Sequence, residues 1–172
     1  EWGIERFICA HAIMIALEGI PGIDIHSMLG TTNDYERYEQ TGRARSLNRH
    51  RWDEQLLSEL LAEQTSRNRI ILDRLRHLLK IRTTQPAFHP NATQYTLQAG
   101  ARMVGLWRQS FDRQQSIFAL HNISARTHQI PLSAINLISY QQWEDLISGE
   151  IIEAEQKTLA MAPYQSRWIT NR

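Results

Sequence analysis

The sequence predicts two kinds of structure in succession, an α/β segment followed by an all-β domain. Three observations carry that reading. A short apolar run, Ile20 to Ile25, is punctuated by Gly19, Pro21 and Gly22 and lies between two helical patterns, which reads as a buried parallel strand. A long polar loop leaves it, with Gly30, Thr31, Thr32, Asn33 and Asp34 at its neck and Arg37, Arg43, Arg45 and Arg49 beyond. Loops at the carboxyl ends of strands are where α/β proteins carry function. After Pro90 the pattern turns to short β-branched or aromatic-rich stretches separated by turn residues, the mark of an antiparallel sandwich or Greek key.

Taken in order, Trp2 to Leu17 places Ile4, Phe7, Ile8, Ala12, Ile15 and Ala16 on one wide helical face. Glu18-Gly19 and the proline beyond it stop that helix. The run around Ile23 follows at once. A lone parallel strand leaves its backbone groups unpaired, so the sequence predicts neighbouring strands that this chain does not obviously supply. Asp53 caps a helix to Leu61 whose leucines 56, 57, 60 and 61 share a face. Thr65 or Ser66 caps the next, carrying Ile70, Ile71, Leu75, Leu78, Leu79 and Ile81 until Pro86 ends it. The basic series of that helix, Arg67 to Arg82, reads as a solvated face. Strands are predicted around residues 95–97, 103–107, 117–120 and 164–169, with breaks at 99–101, 112–113, Asn122 and 148–150. The boundary falls near His89-Pro90, giving residues 1–89 and 90–172.

Composition narrows the class. Apolar residues at 42% and charged residues at 22% are globular values that argue against disorder. A net charge of +1 argues against a general nucleic-acid binder, although residues 43–51 are locally basic. The single cysteine, Cys9, cannot close an internal disulfide and reads as a small buried hydrophobe, which suits a reducing, cytoplasmic setting. The longest apolar stretch, Ile8 to Leu17, is too short to span a bilayer, and no signal-peptide order is visible. The histidines show no metal-ligand spacing, so neither a metal nor a cofactor is expected. Asn91-Ala-Thr93 and Asn122-Ile-Ser124 match the glycosylation sequon, a pattern too short to weigh much.

Several stretches in order, GIPGIDIHSMLGTTNDYE, TGRARSLNRHRW, RHLLKIR, QPAFHPNATQ and ALHNIS, resemble the C-terminal part of the sucrose phosphorylase-like glucosyl phosphorylases of glycoside hydrolase family 13. The likeness runs through nearly the whole chain. It implies the last helix–strand–helix of a (β/α)8 TIM barrel followed by a small antiparallel β-sandwich. It also implies that this chain is a C-terminal fragment, with the remainder of the barrel, or self-association, covering its exposed apolar surface.

The resemblance further implies a retaining transfer of a glucosyl group from sucrose or a related α-glucoside to phosphate, giving glucose 1-phosphate. Such chemistry needs two carboxyl groups about 5 Å apart. The family's carboxylates would lie before Glu1, so no catalytic residue is assigned here and the fragment alone is expected to be inactive. What remains is a wall of the sugar pocket. Arg45, in Arg45-Ser-Leu-Asn48-Arg49-His50, matches the family arginine that helps to hold the glucosyl ring; Arg43, after Gly42, is the competing registration. Asp34, at the loop neck, and His26, at the strand end, complete the substrate-binding candidates. One departure stands out: Asp24 occupies a position that is usually aromatic in the family, and an acid in a buried strand needs a partner. Three alternatives stand beside this reading: an amylosucrase or sucrose hydrolase fragment, a non-catalytic carbohydrate-binding β module using tryptophans, and a nucleic-acid binder using residues 43–51.

Overall fold

The computed structural model describes residues 2–135, 142–153 and 156–171. Helices fill the first half and β-strands the second. The helices are α1 (Gly3–Ala16), α2 (Ile25–Met28), α3 (Tyr35–Thr41), α4 (Ala44–Leu47), α5 (Glu54–Ala62) and α6 (Arg67–Thr84). The strands are β1 (Thr93–Leu97), β2 (Met103–Gln109), β3 (Ser116–Asn122), β4 (His128–Pro131), β5 (Trp143–Asp145), β6 (Ile151–Ile152), β7 (Thr158–Met161) and β8 (Ser166–Asn171). By contacts the chain divides into two units, Glu1–Pro21 with His77–Arg172, and Gly22–Arg76. That grouping differs from a division near residue 89, because α1 packs on the strands β3 and β8.

In the first unit a six-stranded antiparallel sheet runs in the order β1-β2-β3-β8-β5-β6, with a separate β4-β7 pair. The predicted strands fall on β1, β2, β3 and β8, whereas β4 to β7 are too short to have declared themselves. Alternation along β3 and β8 sends Phe118, Leu120 and Ile169 to one face. There they form a core with Ile130 of β4, Leu159 and Met161 of β7, and Trp143 of β5. The opposite face carries Ala119, His121, Ser166 and Trp168. Small buried residues on α1, Cys9, Ala12 and Ala16, suit a close approach to a sheet. The break predicted at Asn122 falls at the end of β3. Asn122 is fully buried there, and its Nδ2 donates to the carbonyls of Arg126, Met161 and Ala162, which excludes glycosylation there.

His121 makes the α1-facing side of the sheet acid-sensitive. It is fully buried, its Nδ1 lies 2.8 Å from Ser166 Oγ, and among the described residues its Nε2 has no hydrogen-bond partner. Burial pushes its pKa down to about 3. The unfolded chain therefore binds a proton below the ordinary histidine value of 6.5 that the folded chain refuses. Stability attributable to this group is intact above that value and drains away as pH falls toward 3, by on the order of 1.4 kcal/mol per pH unit. Urea unfolding of the chain from pH 7 to 4.5 should show this slope, and His121→Leu should flatten it; equal slopes in the two proteins would refute the assignment.

Two buried arginines close the same unit. Arg108 of β2 donates to the carbonyls of Ala16 at 3.0 Å, His89 at 2.9 Å and Ala92 at 3.3 Å. Arg82 of α6 donates to the carbonyls of Ile15, Leu17 and Gly19. Both guanidinium groups lie over the ring of Phe88, which in turn meets Trp168 edge-on. They occupy the carbonyl end of α1, the negative end of its dipole. Burial, reinforced by Arg82, lowers the Arg108 pKa to about 10, so it remains cationic at neutral pH. The expectation of a solvated basic face on α6 therefore fails at Arg82, which is buried.

The run Ile20 to Ile25 is not a strand. Gly19 N–H donates to the Pro90 carbonyl, Arg82 takes the carbonyls before it, and no other described strand lies beside the run to pair with it. At its end Asp24 caps α2 by accepting from His26 N–H at 2.9 Å. Asp24 is exposed there rather than buried within a strand, so it needs no cation. The run is also not buried: Ile20 is 85% exposed and Ile25 62%.

In the second unit the core is small, with Leu29, Ile71 and Leu75 buried. Gly30 has φ +58, and a Cβ there would meet Ile71 Cδ1 at 2.5 Å, so both conformation and space require glycine. Asn68 Nδ2 donates to the Leu29 carbonyl at 2.6 Å and fixes this turn. Asp53 caps α5 as expected, through Leu56 N–H at 2.9 Å, yet no residue of α5 is buried and Leu56 is 49% exposed. Ser66 likewise caps α6 through Arg69 N–H.

Candidate functional site: the arginine loop

The polar loop predicted as irregular contains two short helices, α3 and α4, joined at Gly42 with φ +63. Asp34 starts it. One oxygen of its carboxylate accepts from Arg37 N–H at 2.9 Å, which caps α3, and the other lies 2.9 Å from His50 Nδ1. Its own N–H donates to the Leu47 carbonyl at 2.7 Å. The Arg37 N–H, and then His50, hold the Asp34 carboxyl below the usual carboxylate range. Asp34 is thus a structural joint; its side chain is committed to Arg37 and His50.

Further ties close the base of the loop. Arg37 Nη1 donates to the Arg49 carbonyl at 2.7 Å. Thr41 Oγ1 donates to the Arg37 carbonyl at 2.7 Å and accepts from Ser46 Oγ at 2.9 Å. His50 meets Trp52 edge-on at 4.9 Å, and Trp52 Nε1 donates to Thr31 Oγ1 at 3.0 Å. His26 joins the same chain of contacts, its Nδ1 lying 3.4 Å from Thr31 Oγ1. The structure therefore brings Asp34 and His26 to one neck, in which the Asp34–His50 pair and the His26–Thr31–Trp52 group are each hydrogen-bonded and meet through the His50 and Trp52 rings.

Arg43 and Arg45 lie elsewhere on the loop. Arg43 caps the N-terminal end of α4 with backbone only, and Arg45 lies within α4; both side chains are exposed. Among the described residues neither guanidinium has a hydrogen bond or ion pair, and none joins them to Asp34 or His26. Two unpaired planar cations at the tip of a loop with a tied base can grip an anionic or polyhydroxylated partner by paired donors. Sequence reasoning missed the roles of Arg37, His50 and Trp52. Asp34 three residues ahead of an amide is a cap signature, but nothing in sequence spacing pairs it with His50, sixteen residues away.

The first unit holds an open pocket of about 580 Å³, with Ile20, Pro21, Arg82, Phe88 and Pro90 in its wall. No predicted site residue lines it, and its one guanidinium is committed to backbone carbonyls. Trp168, one of the tryptophans that a sugar-binding module would need, is fully buried. Among the described residues no helix is long and apolar enough to cross a membrane.

No family model matches the chain. It is 35% identical over 166 residues to the glucosylglycerate phosphorylase of Allomeiothermus silvanus, an alignment covering 96% of this chain and 27% of that protein. It is 31% identical over 85 residues to the sucrose phosphorylase of Agrobacterium vitis, covering 49% of this chain and 16% of that one. Among solved structures it superposes on the α-amylase of Geobacillus thermoleovorans, complexed with acarbose, with a TM-score of 0.74 at 14% identity, over 98% of this chain and 33% of the amylase. The chain thus spans about a quarter of the length of a curated relative that matches it throughout, and its fold is that of a third of an α-amylase.

Proposed function

The chain is a relative of the sucrose phosphorylase-like glucosyl phosphorylases of glycoside hydrolase family 13, and on that footing we propose that it forms the C-terminal part of such an enzyme. In this reading residues 1–89 close a (β/α)8 barrel and residues 90–172 form the β-sandwich after it. The exposed Ile20 and Ile25 are covered by neighbouring barrel strands, and the enzyme works in the cytoplasm. The parent transfers a glucosyl group with retention from an α-glucoside to phosphate, through carboxylates carried on other parts of the polypeptide. The observation that carries the proposal is the alignment of 96% of the chain with a glucosylglycerate phosphorylase at 35% identity. Because the sucrose phosphorylase match covers only 49% of the chain, glucosylglycerate is the proposed donor.

Within that enzyme Arg45 donates to the glucosyl ring. Asp34 and His26 serve the same wall of the pocket from its neck, and Arg43 supplies a second cation at its edge. A charged planar donor suits the role because it can be held by a carboxylate and still reach sugar hydroxyls. The test is a comparison of donors. The longer polypeptide, given inorganic phosphate, should release glucose 1-phosphate from glucosylglycerate faster than from sucrose or glucosylglycerol. Release of free glucose at a rate indifferent to phosphate would overturn the proposal in favour of a hydrolase.

A further inference from the structure

We propose that the Asp34–His50 pair, with the Arg37 tether beside it, is the positioning device that holds Arg45 in register for the sugar; this rests on the function proposed above. The loop from 34 to 50 is tied across its base and, further out, by one bond between Thr41 and Ser46. Asp34 reaches across it three ways, to Arg37 N–H, to His50 Nδ1 and, through its amide, to the Leu47 carbonyl. Arg37 adds a fourth tie to the Arg49 carbonyl. The Asp34 amide and Arg37 therefore grip the chain on either side of Asn48, directly after α4. The Thr41–Ser46 hydrogen bond couples α3 to α4 itself.

Arg43 and Arg45 lie between Thr41 and Ser46, beyond the ties at the base, and neither guanidinium has a bond of its own among the described residues. A four-residue helix has no stability of its own, so the direction in which Arg45 points is set by these ties. His50 is held in turn by Trp52, whose indole is anchored on Thr31. The pair thus connects the neck, where the loop leaves the Ile20–Ile25 run, to the helix that carries the sugar-gripping cation. Asp34 and His50 touch no reacting atom in this scheme; they act through Arg45. Misplacing a binding group by about 1 Å can cost on the order of a hundredfold in rate, so the loss of one of several ties should cost about tenfold.

The experiment is a double-mutant cycle in the longer polypeptide. His50→Gln should lower kcat/KM for phosphorolysis about tenfold, chiefly through kcat. In an Arg45→Ala background the same substitution should change it less than about twofold, because nothing remains to be positioned. Asp34→Asn keeps the α3 cap and should behave like His50→Gln. Equal tenfold losses in both backgrounds would mean that the pair serves the fold in general and would overturn the proposal.

A second measurement needs no turnover. Hydrogen exchange on the 172-residue chain should show the Ser46 and Asp34 amides exchanging about tenfold faster in His50→Gln while β3 amides keep their protection. Unchanged exchange at those amides would refute the positioning role. A polypeptide without phosphorolysis would count against the proposed function instead, with exchange still testing the clamp.

Discussion

Arg45→Ala should reduce kcat/KM for phosphorolysis by the longer polypeptide about a hundredfold or more, while Arg43→Ala should cost less than about fivefold. The asymmetry follows from the proposed roles. A charged donor that meets the sugar in a closed pocket contributes about 3 kcal/mol, because its alternative partner, water, is excluded. A guanidinium at the pocket edge keeps its water and contributes the few tenths typical of exposed groups. Both side chains are exposed and, among the described residues, unpaired, so neither substitution removes a described contact. A loss of rate can then be read as a loss of substrate contact. Circular dichroism and unfolding of both variants should match the parent. The reverse order, with Arg43→Ala the severe variant, would move the sugar contact to Arg43.

Arg108→Met should destabilise the folded chain by about 3 kcal/mol, lowering Tm by roughly 8 °C for a domain of this size. Methionine replaces the aliphatic stem but leaves the carbonyls of Ala16, His89 and Ala92 without the guanidinium. Removing a buried cation returns some desolvation energy, and among the described residues the Nε of Arg108 already lacks a partner. The buried carbonyls of Ala16 and Ala92 losing a charged donor outweigh that gain, since each orphaned group costs about 1–3 kcal/mol, whereas the His89 carbonyl keeps the Ala92 N–H. Arg108→Lys should recover only part of the loss, because a point charge cannot reach three acceptors as a fork does. Differential scanning calorimetry gives the answer; an unchanged or raised Tm would show that desolvation governs this site.

Much of the helical half was legible in the residues. Gly19 with Pro21 marks the end of α1, Asp53 and Ser66 cap their helices, and Pro86 ends α6, all signals that depend on local chemistry alone. The strands with alternating residues, β1, β2, β3 and β8, were equally plain. Arg82 shows what a charge-based reading loses. It lies at the spacing of Ile71, Leu75 and Leu78, the buried stripe of α6, and position on the stripe decided its burial where charge suggested exposure. The Ile20–Ile25 run shows the opposite limit. Its composition is that of a buried strand, but a strand exists only with a partner, and no described strand pairs with it. In the loop, the residue types singled out were informative about Asp34, whereas its partner His50 and the anchor Trp52 are matters of tertiary contact that spacing does not encode.

The direct test of the whole account is glucose 1-phosphate formation from glucosylglycerate and inorganic phosphate. It should be assayed side by side for the 172-residue chain and for the longer polypeptide that carries it. None should form from the chain, which on the proposed function holds the sugar-gripping arginine but not the catalytic carboxylates, and phosphate-dependent release is expected from the longer polypeptide. Steady turnover by the chain alone would contradict the account.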